Sequence, residues 1–281
     1  MDSAVIRRKK DGRINIHSDD KGRKVIRMVI ILFTILTILA FMFFNYTGLE
    51  IGTALKETAI NLKSMFLEPT LSHFTWGEAF YQVGITLGLA FLSTILGAII
   101  AFFLSLLAAT NLSNEWVSRL VRVFVAFIRA VPTVLWVLIF AISAGLGSEA
   151  AVLGMLFHSI AYLVKAFSES FEVVDKGIFE ALRATGAKWW HIVSRAVIPS
   201  TFTYLLSWVF LRFEINFAVA VAMGAAAGAG GIGFELFMAS GFYFDIREVG
   251  FITYAILIVA IILEVISTRL KNRFFPATKS H

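Results

Sequence analysis

Residues Asp175–Pro199 read DKGIFEALRATGAKWWHIVSRAVIP, a polar and amphipathic island set between long apolar segments. Asp175 can cap a short helix whose turns carry Ile178, Phe179, Glu180, Ala181 and Leu182, and Gly186 suits the left-handed residue that ends such a helix. A second helix starts at once. In it Trp189, Ile192, Val193, Ala196 and Val197 fall at i, i+3, i+4, i+7 and i+8, one apolar stripe before Pro199 opens the next hydrophobic run. Trp189 and Trp190 suit the headgroup level of a bilayer, while Lys188, His191 and Arg195 can face water or anionic lipid. The pattern is helix, glycine, helix. Spacing alone leaves two readings open, an ordinary amphipathic cytoplasmic loop or a docking element for a soluble partner.

Composition decides what surrounds the island. With 58% hydrophobic residues in 281 and a mean hydropathy of +0.82, the chain is too apolar for a soluble domain and reads as an all-α polytopic membrane protein. The net charge of +6 could suit nucleic acid, but the basic residues follow membrane topology instead, so nucleic acid is not expected as a partner. Cysteine is absent, which excludes thiol catalysis, disulfides and cysteine-ligated metals. The 28 phenylalanines suit lipid contact and packing and imply no cofactor.

Outward from the island, residues 1–24 form a basic tail without an apolar face, expected to be flexible and cytoplasmic. Val25–Phe44 is long enough for a first span and too long for a signal-peptide core. Residues 45–82 form a weakly acidic external segment, in which Ile51, Leu55, Leu62 and Phe66 recur at helical spacing and Pro69 ends a helix along the outer face. The core occupies residues 83–268, with the coupling loop at 175–199 and a second cytoplasmic tail at 269–281. Its spans are predicted at Val83–Ala109, Val123–Ala144, Ala150–Val164, Ser200–Met223 and Val249–Ser267, the fourth short for a crossing. Of the 25 Lys and Arg, twenty then lie inside and Lys56, Lys63 and Arg247 outside, so six spans with both termini cytoplasmic are favoured over five or seven.

Glu180, Ala181, Gly186 and the run Ala196–Pro199 resemble, in identity and spacing, the EAA loop of permease subunits of bacterial ABC importers. Leu182 stands where a second alanine is usual and Ala196 where isoleucine is usual, both apolar exchanges. IRAVP (128–132), LRFEIN (211–216) and GAGGIG (228–233) extend the resemblance over roughly residues 80–270, most closely to the phosphonate importer permease family. This resemblance implies a type I importer fold in the bacterial inner membrane. It also implies two copies of this chain, two cytoplasmic ATPase subunits that bind ATP and Mg²⁺, and an external substrate-binding protein. The cargo would be phosphonate or a related phosphorus oxyanion. The island would be the coupling helix, with Ile178, Phe179, Ala181 and Leu182 exposed to seat in the ATPase, Glu180 fixing orientation and Gly186 permitting the turn. No cofactor would reside in this chain.

Arg212, Glu214 and Asn216 form the strongest intramembrane polar cluster. Arg212 lies thirteen residues beyond Pro199, about 20 Å into its span, so it must face protein or water. Arg212 and Asn216 share a helix face; Glu214 projects elsewhere and needs a partner on another helix or the second protomer. In the resembling family a second arginine often stands where this chain has Ala218. The glycine run, with Gly228, Gly230 and Gly231, satisfies G-x-G-x-x-G but follows no strand and carries no Lys-Ser/Thr, so nucleotide binding is excluded. Close helix packing or oxyanion-facing amides at the mouth of a path remain as its roles. Together with the polar cluster it makes up the candidate translocation path. Arg129 and Glu264 read as paired or snorkelling charges and His158 as a packed, hydrogen-bonded histidine; the other histidines show no metal-ligand spacing.

No catalytic nucleophile, base or carboxylate pair is found. The rival readings are an ABC permease for another nutrient such as an amino acid, a secondary transporter coupled through Arg212, Glu214 and Glu264, and an intramembrane enzyme acting on lipid phosphate.

Overall fold

Continuous apolar runs punctuated by few prolines leave the backbone one way to satisfy its polar groups in lipid, and helices dominate the described chain. The computed structural model describes the backbone of residues 7–8, 14–15, 21–43 and 50–274, and the side chains of 22–43 and 50–270. The chain divides into two compact units, residues 1–58 and 59–281. In the first, strands β1 (Arg7–Arg8) and β2 (Ile14–Asn15) pair antiparallel within the basic tail, and α1 (Lys21–Phe43) contains the predicted first span. Its hydroxyls, Thr34 and Thr37, donate to the Ile30 and Phe33 carbonyls at 2.9 and 2.8 Å, so neither turns a polar hydrogen outward. Helix α2 (Ile51–Leu67) is the predicted outer-face helix and ends before Pro69. The second tail beyond residue 274 lies outside the described residues.

The second unit continues with α3 (Trp76–Ala108), α4 (Glu115–Ala130), α5 (Thr133–Ala144), α6 (Ser148–Glu172), α7 (Lys176–Ala184), α8 (Trp189–Ile192), α9 (Ile198–Ala227), α10 (Ile232–Gly241) and α11 (Ile246–Phe274). Thr75 and Glu78 form a reciprocal capping box that starts α3. Among the described residues five helices are long and apolar enough to cross a membrane, and a sixth crossing follows if α4 and α5 count as one. Two sequence expectations change. The third span is not continuous: α4 and α5 meet at 87°. Val131, held extended at φ −89°, ψ 123° before Pro132, breaks the helical path. The fourth span is not short either. Its helix continues through Glu172 because Phe167 and Phe171 prolong the buried face, while Ser168 and Ser170 return their hydroxyls to backbone carbonyls.

Helices α3, α6 and α9 form the packing centre. On the α7 side the core is built from Leu163, Val164, Phe167, Phe171, Val193 and Val197. Toward the other end it is built from Leu89, Val137, Met155, Phe217 and Met223. Close approach is enforced by small residues: a Cβ at Gly97 would lie 2.8 Å from Ser159 Cβ, and one at Gly154 2.5 Å from the Val137 backbone. Residues 65–75 are strapped to the start of α11. Buried Glu248 accepts from the Ser72 and His73 amides at 3.0 and 2.8 Å, and Tyr254 donates to the Phe66 carbonyl at 2.7 Å.

Candidate coupling site and transport path

Helix α7 is built as its sequence requires. Asp175 accepts from the Gly177 amide at 2.6 Å, and Gly186 takes φ +77° as the chain turns. Ile178, Glu180 and Ala181 are exposed, but Phe179 is only 4% exposed. That corrects the expectation that Phe179 faces outward. It inserts into the core beside Phe171 and Val193, and Leu182 packs half-buried against the same cluster. A nine-residue helix has too little surface of its own to stay folded, so one aromatic anchor holding it to the bundle is the physical requirement.

The surrounding platform is fixed by polar contacts that link segments distant in sequence. Glu172 accepts from the Thr110 amide and hydroxyl, both at 2.7 Å, and pairs with Arg122. Asn111 Nδ2 donates to the Phe171 carbonyl at 2.8 Å, and Trp189 Nε1 donates to the Leu112 carbonyl at 2.8 Å. The step from α8 into α9 passes through a π turn at Val193–Val197, where the Ile198 amide reaches back to the Val193 carbonyl. This wider turn accommodates Pro199, which has no amide hydrogen, without a kink, so α8 and α9 act as one rod. A groove of about 480 Å³ runs beside α7 and is lined by Glu169, Asp175, Ile178, Thr201, Tyr204 and Trp208.

Of the predicted membrane-interior residues, the structure brings Arg212 and Asn216 together and leaves Glu214 apart. Asn216 is fully buried, with Nδ2 2.8 Å from Thr94 Oγ1, 2.8 Å from Ser159 Oγ and 3.2 Å from Ser93 Oγ. Each of those hydroxyls donates its own hydrogen to a carbonyl in its helix, so each presents only lone pairs inward. Arg212, 2% exposed, donates Nε to Ser159 at 3.2 Å and lies over the Tyr162 ring at 5.3 Å, while its Nη2 has no partner. Glu214 sits on the α11 side, where Glu264 is the neighbouring charge. His158 is not hydrogen-bonded as expected, since its Nδ1 is buried without a partner.

Gly228, Gly230 and Gly231 all take positive φ, between 60° and 77°, and turn the chain sharply from α9 into α10. The amides that could have met an anion are partly used. Gly231 donates to Gln82 Oε1 at 3.0 Å and Ile232 to Thr86 Oγ1 at 2.9 Å. A Cβ at Gly231 would stand 2.4 Å from Thr86 Oγ1, so the run packs tightly on α3.

Residues 101–280 match the family described as binding-protein-dependent transport system inner membrane component. The chain belongs to that family. Among its curated relatives, the phosphite transport system permease protein PtxC of Stutzerimonas stutzeri is 32% identical over 190 residues, covering 67% of this chain and 68% of PtxC. The putative phosphite transport system permease protein HtxC of the same organism is 36% identical, the match covering 53% of each chain. The phosphate-import permease protein PhnE of Mycolicibacterium smegmatis is also 36% identical, over 54% of this chain and 28% of PhnE. The chain thus spans about half the length of HtxC and under a third of PhnE. In solved structures, the inward-facing MetNI methionine ABC transporter matches with a TM-score of 0.66 at 19% identity, over 73% of this chain and 99% of that one. A bacterial alginate ABC transporter matches with 0.58 at 14% identity, over 92% and 100%. At these identities the likeness shows the fold, that of type I ABC importer permeases. The chain is a multi-pass member of this inner membrane component family, and the described residues of its second unit form helices and their connections only.

Sequence reasoning missed several contributors to these sites. The hydroxyls of Ser93, Thr94 and Ser159 lie in unremarkable apolar runs, and only their i−3 or i−4 carbonyls, which absorb their hydrogens, hint that they serve as acceptors. His73, Asp245 and Glu248 bring ligand-capable atoms within 4.8 Å of one another on the strap, although His73 lies far from the others in sequence.

Proposed function

We propose that this chain is the transmembrane subunit of an ATP-driven importer for phosphonate or a related phosphorus oxyanion. Two copies form the path, and two cytoplasmic subunits bind and hydrolyse ATP with Mg²⁺. An external protein delivers the substrate, and both termini face the cytoplasm of a bacterial inner membrane. The observation that carries the reading is α7, a short helix that buries Phe179 in the bundle and presents Ile178, Glu180 and Ala181 outward. Such an anchored helix transmits force applied to its exposed face, through the α8–α9 rod, into the middle of the membrane. The substrate class is supported by the names of PtxC, HtxC and PhnE. Arg212, Asn216 and the Gly228–Gly231 turn order the helices that border the path, and Glu214 stands on another side of α9.

The test is uptake of radiolabelled phosphonate, phosphite, phosphate and methionine by vesicles holding this chain, its ATPase and its binding protein, with Glu180→Lys alongside. ATP-dependent uptake of one phosphorus oxyanion, lost in the variant while the subunits stay assembled, is the expected result. Uptake of methionine alone would overturn the substrate class, and uptake that ignores ATP but follows an ion gradient would overturn the importer.

A further inference from the structure

Helices α6 and α9 pack along one seam, and beside α7 that seam opens as the groove of about 480 Å³. The groove-lining residues farthest along each helix from α7 are Ala166 on α6 and Trp208 on α9. One turn beyond them stand Tyr162 and Arg212. Tyr162 packs edge-on against Trp208 with ring centroids 6.2 Å apart, and the Arg212 Cζ lies 5.3 Å from the Tyr162 ring centroid. A chain of contacts therefore runs from the groove through two aromatic rings to a guanidinium.

Arg212 is 2% exposed and Asn216 is fully buried, yet each keeps one polar atom unpartnered, the donor Nη2 and the acceptor Oδ1. Both side chains hold the same Ser159 oxygen, through Arg212 Nε at 3.2 Å and Asn216 Nδ2 at 2.8 Å. A free donor and a free acceptor thus flank one hydroxyl. Among the described residues no carboxylate pairs with Arg212. A guanidinium taken out of water without a counter-charge destabilises a fold, and an apolar side chain of similar length would pack there at lower cost. Packing alone does not account for a charge at this position.

We propose that Arg212 Nη2 and Asn216 Oδ1 form an inner binding site for a singly protonated phosphorus oxyanion, closed in this conformation by Tyr162 and Trp208. The site rests on the importer reading above and names where its cargo is held. Such an anion presents a P–O⁻ oxygen to Nη2 and a P–OH hydrogen to Oδ1, whereas sulfate has no hydrogen to give. Parting α6 from α9 joins the site to the groove, and the α8–α9 rod is the element that α7 would move to do so. Glu169 and Asp175 line the groove toward α7; Glu169 lies 3.7 Å from Lys165, and Asp175 caps α7. Their charge favours departure of an anion through the groove over its entry.

Two measurements on the assembled transporter test the site. Phosphite should raise its thermal midpoint without the binding protein present, and sulfate should not. Arg212→Met should lose that rise while starting from a midpoint no lower than that of the unmodified transporter. Its phosphite uptake should fall about ten- to a hundredfold, the loss of a charged hydrogen bond. Arg212→Lys, which keeps the charge without the fork, should give intermediate uptake. A lowered starting midpoint or lost assembly in Arg212→Met would make the side chain structural and overturn the site. So would an equal rise with sulfate, the absence of any rise, or a phosphite rise that persists in Arg212→Met and so belongs to another subunit. If the unmodified transporter takes up no phosphorus oxyanion, it is the importer reading that fails. If it does so and Arg212→Met matches it, only the site fails.

Discussion

Asn216 has more acceptors around Nδ2 than hydrogens to give: three hydroxyl oxygens from α3 and α6 stand within 3.2 Å of it. Because those hydroxyls have already given their hydrogens to carbonyls, no other small side chain at 216 satisfies them. Asn216→Ala should therefore destabilise the bundle by about 1–3 kcal/mol, the cost of stranding buried acceptors. A lowered thermal midpoint of the purified chain measures it, and an unchanged midpoint would mean that water replaces the amide. Outside the membrane, Asp245 shows the opposite balance. Burial works against its ionisation, but the amides of Glu248 and Arg247, the Ser72 hydroxyl and neighbouring His73 outweigh burial and hold its carboxyl below the ordinary aspartate value. Unfolding releases those contacts and returns the group to its ordinary value, so the unfolded strap takes up protons first as pH falls. The contribution is fully present above about pH 4 and is lost as pH drops through the lower native value. Hydrogen exchange of residues 69–75, corrected for its intrinsic pH dependence, should accelerate only in that acid window, and Asp245→Asn should abolish the step.

At the scale of elements, α7 was legible in its boundaries and not in its orientation. The Asp175 cap and Gly186 turn are local chemistry that any reader of the sequence can place. Which of Ile178, Phe179, Ala181 and Leu182 faces the bundle depends on α6 and the π turn, which lie outside the helix itself. The same limit explains the α4–α5 break: Pro132 signals a discontinuity, but its 87° angle is set by packing on α6. It also explains α6, whose predicted span closed at Val164, while Phe167 and Phe171 carry the buried face of the helix on to Glu172. The division of labour on α7 predicts two distinguishable failures. Phe179→Ala should cost about 3–5 kcal/mol of folded-state stability and release the helix, so the thermal midpoint and ATPase co-purification fall together. Ala181→Asp, on the exposed face, should leave the midpoint unchanged and remove co-purification alone. If both variants lose only the partner, Phe179 is part of the docking face and not an anchor.

For the molecule as a whole, the orientation of the bundle is a prediction from charge, because packing within the bundle is indifferent to which end faces the cytoplasm. The α7 end carries Lys165, Lys176, Arg183, Lys188 and Arg195 outside the hydrocarbon. Among the described residues of the second unit, the strap end carries only Lys63 and Arg247, and Arg247 pairs with Glu68 at 2.8 Å. Retaining basic segments on the cytoplasmic side of the membrane predicts α7 inward and the strap outward. The candidate spans α3, α6, α9 and α11 were legible because each is a long apolar run, and the charge count that predicts orientation needs no packing information. The absent cysteines make the orientation directly measurable. In intact cells, Lys63→Cys should react with an impermeant maleimide, whereas Lys188→Cys should react only after permeabilisation. The reverse pattern would put α7 outside, where no ATPase could reach Glu180, and would remove the coupling role along with the orientation.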